Sequence, residues 1–311
     1  MVDERWINDL GLGSGILAVE DTGPVSVTLR ASGSTPLAHT TRITLTRDSR
    51  RIGISNEITQ NFGGVHTWSF GFNLNAPDTW HEEIGAVARA KLTTAGGHYY
   101  PTHSRLDWLS LNHFAAMTGA DGVGITLSSA DCSFMKLGAS AQVDGIARLD
   151  TATPQISVLA GGQVDGPGTG IPNQGGDSRF LQRFALQSHG AFSAAESMRF
   201  ALEHQNPLVT GRVRGCGPYP EKSFSLVTIS DPDVLLWSLK PAEEGISKGV
   251  IARVWNVASE PKQFSLRLQP GISAARRATH IETDLGPAPI TGGALSVSIG
   301  RAQLLTFRLV R

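Results

Sequence analysis

The sequence predicts an all-β chain in two blocks of strands, the second a small C-terminal β-sandwich, with one short helix near residues 194–204. Three observations predict it. Apolar and polar residues alternate with period two through most of the chain. Thirty-five of the 311 residues are glycine and only 17% are charged, a composition suited to short strands joined by tight turns. Beyond residue 225, strand-like runs recur about every ten residues, split by Pro, Gly or Asp, which is the rhythm of a sandwich.

The elements follow in order. "VSVTLRAS" puts Val25, Val27 and Leu29 on one face. "TRITLTRDSRRIGISNEIT" is a hairpin, with Ile43 and Leu45 before the turn "RDSR" and Ile52, Ile54 and Ile58 after it. In "WSFGFNLN", Phe70, Phe72 and Leu74 are expected to face away from Trp68. "DGVGITLSS" and "PQISVLAGG" are two more strands. "GGQVDGPGTGIPNQGGDSR", residues 161–179, has no apolar period and is expected to be a long exposed loop.

"RFALQSHGAFSAAESMRFALEHQNPLV", residues 183–209, is the one stretch of helical character. Ser193 and Glu196 have capping-box spacing. Ala194, Met198, Ala201 and Leu202 share a helical face. Pro207 stops the run and pushes Asn206 out of helical geometry. The expected helix is Ala194–His204, too short to stand without docking on a sheet. Later come "FSLVTIS", "DVLLWSLK", "GVIARVWNVA", "KQFSLRLQP", "ATHIETD", "GALSVSIG" and "AQLLTFRLV". Val250–Val257 is apolar on both faces, as in a strand covered on both sides. The expected domains are residues 1–225 and 226–311.

Lys plus Arg and Asp plus Glu are 27 each. Zero net charge argues against nucleic acid or an anionic membrane as main partner. No apolar run approaches the ~18 residues of a membrane span, and "MVDERWINDL" has no apolar signal segment. Cys132 and Cys216 are read as free thiols of a reducing compartment, so the expected location is cytoplasmic.

No Walker loop, GxSxG, HExxH or paired CxxC is present. "GLGSG", residues 11–15, lacks the strand and helix that a dinucleotide turn needs. The densest polar-aromatic cluster is "HYYPTHSRLDW", residues 98–108. Aromatic faces stack on sugar C–H surfaces while Arg, Asp and His bond hydroxyls. His98, Tyr100, His103, Arg105 and Trp108 are therefore the candidate sugar contacts, against a plainer reading as strand-edge packing. Zinc on His98 and His103 is disfavoured, because their spacing fits neither a helix nor a strand face and no thiolate backs them. "WHEEIGAVAR" holds His81, Glu82, Glu83 and Arg89. Adjacent carboxylates on a strand point to opposite faces, a poor glycosidase pair, so a solvated charged face is expected. His189 is read as capping or packing, and Asp231 and Asp233 as turn residues.

The order of segments resembles the C-terminal half of family 38 glycoside hydrolases, the retaining α-mannosidases. "GPVSVTLRAS" with "TRITLTRDSRRIGISNEI" is similar to that family's opening hairpin. "WSFGFNLNAP…IGAVARA" is similar to its next strands, without the Pro and Phe of the "P-F-G…R" turn. "LDWLSL…DGVGITLSSADCSFMKLG" resembles its Trp-bearing strand and the strand after it. "RFALQSHGAFSAAESMRFALEHQNPL" resembles "Y-A-L-x-P-H-x-G-D-W…A…N-x-P-L", with "S-H" for "P-H" and "F-S" for "D-W". "LLWSLKPAEEG…GVIARVWN" resembles the start of the terminal sandwich. The Gly-rich run 161–179 replaces a run rich in Arg, Pro and Asp.

The resemblance implies a galactose-mutarotase-like supersandwich followed by a small β-sandwich. It carries over no catalytic or metal residue. In the family, the nucleophile, the acid and the zinc site belong to an N-terminal α/β barrel, which would have to precede Met1. The expectation is a non-catalytic portion that scaffolds such a barrel and shapes a mannoside site, with zinc only in the barrel and no cofactor here. Expected partners are a mannoside and either the missing catalytic domain or further copies of the chain. A detached half should expose an apolar face. A stand-alone carbohydrate-binding module is the second reading. A mutarotase- or epimerase-like enzyme is the third, requiring His98 or His103 to converge with a Glu on a concave face.

Overall fold

The computed structural model describes residues 15–143, 146–162, 172–212 and 223–310. It divides into two compact units, Met1–Pro207 and Leu208–Arg311. "MVDERWINDL", most of "GLGSG", Cys216 and residues 163–171 of the Gly-rich run lie outside the described residues, while the rest of that run includes a short 3-10 turn at Pro172–Gly176.

The first unit opens with β1 (Ile16–Thr22), β2 (Ser26–Gly33), β3 (His39–Thr46) and β4 (Arg51–Ile58), an antiparallel series. The expected hairpin is β3–β4, with Ile43 opposite Ile54 and Leu45 opposite Ile52. Next come β5 (His66–Gly71), β6 (Asp78–Glu83), β7 (Ala86–Arg89), β8 (Leu109–Ser110), β9 (Phe114–Thr118) and β10 (Gly124–Ser129). The unit continues through β11 (Phe134–Leu137), β12 (Ala141–Val143), β13 (Ile146–Arg148), β14 (Gln155–Gly161) and β15 (Phe180–His189). One sheet has nine strands in the order β1-β2-β3-β4-β15-β10-β9-β6-β7. The other has four, β5-β14-β11-β8, while β12 and β13 form a separate hairpin.

One core lies between these two sheets. Ala115, Met117, Leu127 and Phe184 come from the larger sheet, and Leu109, Met135, Leu137, Ile156 and Val158 from the smaller. Burying each large side chain stabilises by about 1.5–3 kcal/mol. Phe70 meets Phe184 edge to face at 5.2 Å. Trp68, Phe70, Phe72 and Leu74 all pack against this core. This corrects the expectation that Trp68 faces away: residues two apart on an extended chain share a side. β1 has no counterpart in the strands read from the sequence, and residues 183–189 are strand, not the lead-in to a helix.

The helix α1 spans Ala194–Gln205. Ser193 Oγ accepts from the Glu196 N–H at 3.3 Å, the expected cap. Its buried side is Ala195, Ser197, Met198, Phe200 and Ala201, with Leu202 only half-buried. That arc is rotated from the expected Ala194–Met198–Ala201–Leu202 line by polar anchoring. Ser197 Oγ lies 3.2 Å from Thr126 Oγ1, and His204 Nδ1 lies 3.0 Å from Ser128 Oγ. Gln205 Nε2 donates to the carbonyls of Asn112 and Ser129 at 2.8 and 2.6 Å. Thr126 and Ser128 alternate with the core residue Leu127, so α1 covers the outer face of the nine-stranded sheet at β10.

The second unit comprises β16 (Val227–Ile229), β17 (Val234–Pro241), β18 (Val250–Asn256), β19 (Lys262–Leu268) and β20 (Ala274–Ala278). It ends with β21 (Asp284–Pro287), β22 (Ile290–Thr291), β23 (Ala294–Ile299) and β24 (Leu304–Val310). A four-stranded sheet, β16-β19-β23-β22, and a five-stranded sheet, β17-β18-β24-β20-β21, enclose a core of Val254, Phe264, Leu266, Leu295 and Phe307. β18 is buried on both faces, as its apolar run predicts, and Trp255 meets Trp237 edge-on at 5.3 Å. Buried Asn256 donates to the carbonyls of Glu260 and Gly300 and accepts from the Ala258 N–H, tying adjacent loops to the sheet. "ATHIETD" is not a strand. It is the connection from β20 to β21, with Glu282 in the left-handed region at φ 68°.

His204 shows which effect wins at the end of α1. A helix C-terminus favours a protonated imidazole by about 0.3–1 kcal/mol. Burial, reinforced by the charges of Arg51 and Arg183, opposes it and lowers the pKa from 6.5 to about 4. The folded value lies below the unfolded one, so this contribution to stability is complete above pH 6.5 and is lost as pH falls toward 4. The ring is only partly buried, so after solvent screening the loss is about 1–2 kcal/mol. Urea unfolding from pH 7 to 4 should show that decline, and His204→Gln should remove part of it.

Candidate functional site

Strand β6, "DTWHEE", carries the densest chemistry among the described residues. Thr79 and His81 pair with Met117 and Ala115, both core residues, so Thr79, His81 and Glu83 face the sandwich interior. Asp78, Trp80 and Glu82 face the other way. The expectation of a solvated charged face is overturned: His81 is 0% exposed and Glu82 only 1%. The neighbouring strands β7 and β9 and the loop bearing Tyr99 close over them.

On the inner side, His81 Nδ1 lies 2.9 Å from the Ser110 carbonyl and Nε2 lies 2.7 Å from the Tyr99 hydroxyl. Tyr99 donates to Glu83 Oε2 at 2.8 Å. A carbonyl only accepts, so Nδ1 carries a proton. The single phenolic proton goes to Glu83. Nε2 can therefore donate to the phenol oxygen only as imidazolium. Burial opposes that charge and pushes the His81 pKa down, while the charges of Glu83 and Glu82 pull it back up. Burial and the bond to Glu83 push the Tyr99 phenol up, so it stays protonated. The three side chains form one hydrogen-bonded chain from buried His81 through Tyr99 to half-buried Glu83.

On the outer side, Glu82 accepts from the Gly85 N–H at 2.7 Å and meets His113 Nδ1 at 2.9 Å. These partners make burial of a carboxylate tolerable. Asp78 takes Arg89 Nε at 2.9 Å, Lys91 Nζ at 2.8 Å and the Trp80 indole N–H at 3.1 Å. Burial alone would raise the Asp78 carboxyl, but Arg89 and Lys91 together hold it below its ordinary value. Phe192 stacks on Trp80 at 5.1 Å and the Arg89 guanidinium sits 5.8 Å from the Trp80 ring centroid, so the indole is already engaged.

The predicted sugar contacts do not converge in the bonds and ring contacts described. His98 is exposed, accepts from the Arg89 N–H at 2.8 Å and touches Trp80 edge-on. It thus joins the β6–β7 group. Tyr100 is 66% exposed. His103 is exposed, with φ 65° in the loop, and Arg105 pairs with Asp107 at 2.9 Å. Trp108 is half-buried just before β8. Residues 100–108 form a loop, not a strand edge. Neither His98 nor His103 meets a Glu among the described residues. The geometry links His81 to Glu83 instead, through the Tyr99 hydroxyl, and the only local sequence signal is the two-residue step that puts both on one face of β6. Glu82 and Glu83 stand on opposite faces and cannot flank one bond, as the alternation requires. His189 faces Gly124 across β10–β15, where its ring fills the space a Cβ would need.

Two hollows are described. A cleft of about 30 Å³ lies among His39, His66, Trp68, Leu37, Ile58 and Ala160. It has room for about one water molecule. An open basin of about 520 Å³ in the second unit is lined by Glu244, Lys248, Ile281, Glu282, Asp284 and Arg308. Its size suits a small ligand. Its charges are mutually engaged: Arg308 donates to Asp284 at 3.0 Å, Glu244 at 3.1 Å and the Glu282 carbonyl at 2.9 Å. Among the described residues no three His, Cys, Asp or Glu side chains stand together as a metal cage. Cys132 is a buried free thiol whose pKa burial raises to about 12, leaving it inert. Among the described residues no helix is long and apolar enough to cross a membrane.

No protein-family model and no curated protein matches the sequence. Among solved structures, an α-mannosidase from Enterococcus faecalis V583 superposes with a TM-score of 0.67 at 12% identity. The match covers 95% of this chain and 35% of that one. A glycosyl hydrolase family 38 protein from Enterococcus faecalis gives 0.66 at 12% identity, covering 95% and 36%. The chain thus spans about a third of the length of those proteins. At this identity the likeness establishes the fold.

Two substitutions probe the β6 region. Tyr99→Phe strips the buried His81 Nε2 of its partner and should lower unfolding free energy by about 1–3 kcal/mol in urea titration. In the β6–β7 turn, Ile84 holds φ 40° and is 83% exposed. A β-branched residue is strained there, so Ile84→Asn, which suits the paired positive-φ turn with Gly85, should stabilise by about 1 kcal/mol.

Proposed function

We propose that this chain is a non-catalytic portion of an α-mannosidase-like glycoside hydrolase. Its work is to scaffold a catalytic barrel and shape one side of a mannoside site. The observation that carries the reading is the superposition of 95% of the chain on about a third of an α-mannosidase. The chemistry of β6 is consistent with it. A general acid or base must come within hydrogen-bond reach of the substrate. His81 is sealed beneath Tyr99 and can touch no ligand atom. Retaining hydrolysis needs two carboxyl groups about 5 Å apart across one bond, and Glu82 and Glu83 diverge. Zinc, where it takes part, would belong to the barrel.

Binding of carbohydrate by this chain alone is a second reading, favoured by the charged basin beside exposed Ile281. One experiment addresses both. The purified chain is given an aryl α-mannoside with and without zinc, and is titrated calorimetrically with manno-oligosaccharides. We expect no turnover in either assay, and robust hydrolysis would overturn the scaffold reading. A measurable heat that Glu244→Gln abolishes would assign binding to the basin, whereas loss in Tyr100→Ala or Trp108→Ala would assign it to the 98–108 loop.

A further inference from the structure

The nine-stranded sheet extends beyond its four-stranded cover, which ends at the edge strand β5. β3 still meets that edge where His39 touches Trp68 at 5.8 Å, and exposure rises outward from there through Ile43 (37%) and Leu45 (50%) to Val19 and Leu17. Cross-strand register aligns Val19, Leu29, Ile43 and Ile54 in one row, and Val27, Leu45 and Ile52 in the next. Ile54 packs against the core, so these rows are the core-facing side of the sheet continued into the open. Leu17 is 71% exposed, Val19 61% and Leu45 50%. No charged side chain stands on this side of β1–β3. The opposite side is made for water: Glu20 bonds Arg42 at 2.7 Å, Thr28 bonds Thr44 at 3.0 Å, and Glu57 pairs with Arg42 and Arg179.

We propose that this apolar face is covered in solution by the same face of a second copy of the chain. The side chains leave on the order of 500 Å² of apolar surface exposed, at the upper end of what a monomer tolerates. Two copies facing each other would bury about 1,000 Å², the floor for a specific interface. The dimer should therefore be real but dissociate on dilution. An uncharged, self-complementary surface needs no counter-charge from a different partner, and a two-fold arrangement closes after two copies. Pairing through the β1 edge is disfavoured by the bulge between Val19 and Asp21, which breaks the ladder a partner strand would need. The two sheets accordingly meet face to face.

This inference goes beyond the scaffold reading and does not depend on it. Analytical ultracentrifugation over a dilution series is the test, using the full chain. The expected result is a shift from monomer to dimer with rising concentration and no larger species. Val19→Glu with Leu45→Glu should leave a monomer at every concentration, with unchanged circular dichroism, because both side chains already face solvent. Leu17→Lys with Val27→Lys should do the same, and Ile281→Glu in the second unit should leave the dimer intact. A wild-type chain that stays monomeric at its solubility limit overturns the proposal. So does a dimer that survives both double substitutions, or a face that is filled only when a separately expressed mannosidase barrel is added. Turnover plays no part in this readout, so it can fail while the scaffold reading stands.

Discussion

The packing of β9, β10 and β15 against β11 and β14 is the constraint from which the rest of the first unit follows. Met117, Leu127 and Phe184 on one side and Met135, Leu137 and Ile156 on the other are essentially without solvent contact. Stacked sheets stand about 10 Å apart, so every residue between them must be apolar or must find a partner. That requirement fixes register. A slip of one residue in β10 would send Leu127 outward and bring Thr126 and Ser128 into the core. It would also detach α1, whose Ser197 and His204 bond those two residues on the outer face.

The same constraint explains the β6 network. Once β6 pairs with β9 in this register, His81 must lie inside. A buried imidazole without partners is costly, and Ser110, Tyr99 and Glu83 supply them. Glu82, on the other side, is closed off by the turn at Gly85 and by His113. Four titratable groups, Asp78, His81, Glu82 and Glu83, thus share one six-residue strand, an arrangement that looks catalytic on a residue list. In space they serve two separate faces, and on the inner face the histidine lies behind the tyrosine.

Much of the fold was legible in the sequence because period-two alternation is a direct print of a half-buried strand. The β3–β4 hairpin, β10 and β14 announce themselves in this way, while β18 is marked by its unbroken apolar run and α1 by its capping pair. Failures have physical causes. β1 reads "ILAVEDT" and is exposed throughout, so no burial pattern marks it. "ATHIETD" alternates convincingly, yet Glu282 turns left-handed, where it accepts the Glu243 N–H and pairs with Lys240. Trp68 stands two residues from Phe70 on an extended strand and so shares its core-facing side. The candidate site was less legible. In "HYYPTHSRLDW" the eye is drawn to His98, Tyr100, His103 and Arg105, which stay exposed, while Tyr99, like Leu106, turns inward. Its partners, His81 and Glu83, lie 18 and 16 residues away, a distance set by the path of β7 and the loop after it, which no local pattern encodes.

The contrast between the two faces of the β1–β3 wing bears on what kind of protein this is. A sheet free in water on both sides gains nothing from keeping one of them apolar, because hydrophobic stabilisation requires removal of surface from water. The outer face is furnished with ion pairs and threonine hydroxyls, while the inner face continues the core pattern past the last residue that the smaller sheet covers. Superposition at 12% identity shows that strand order and sheet geometry persist when almost every side chain differs. Such persistence asks only that buried positions stay apolar, and it leaves reactive groups free to drift. A chain built in this way is specified by the surfaces it must bring together. An apolar face carried beyond its own cover is the surface that the proposed self-association would remove from water, and its neutral character matches a partner surface equally poor in charge.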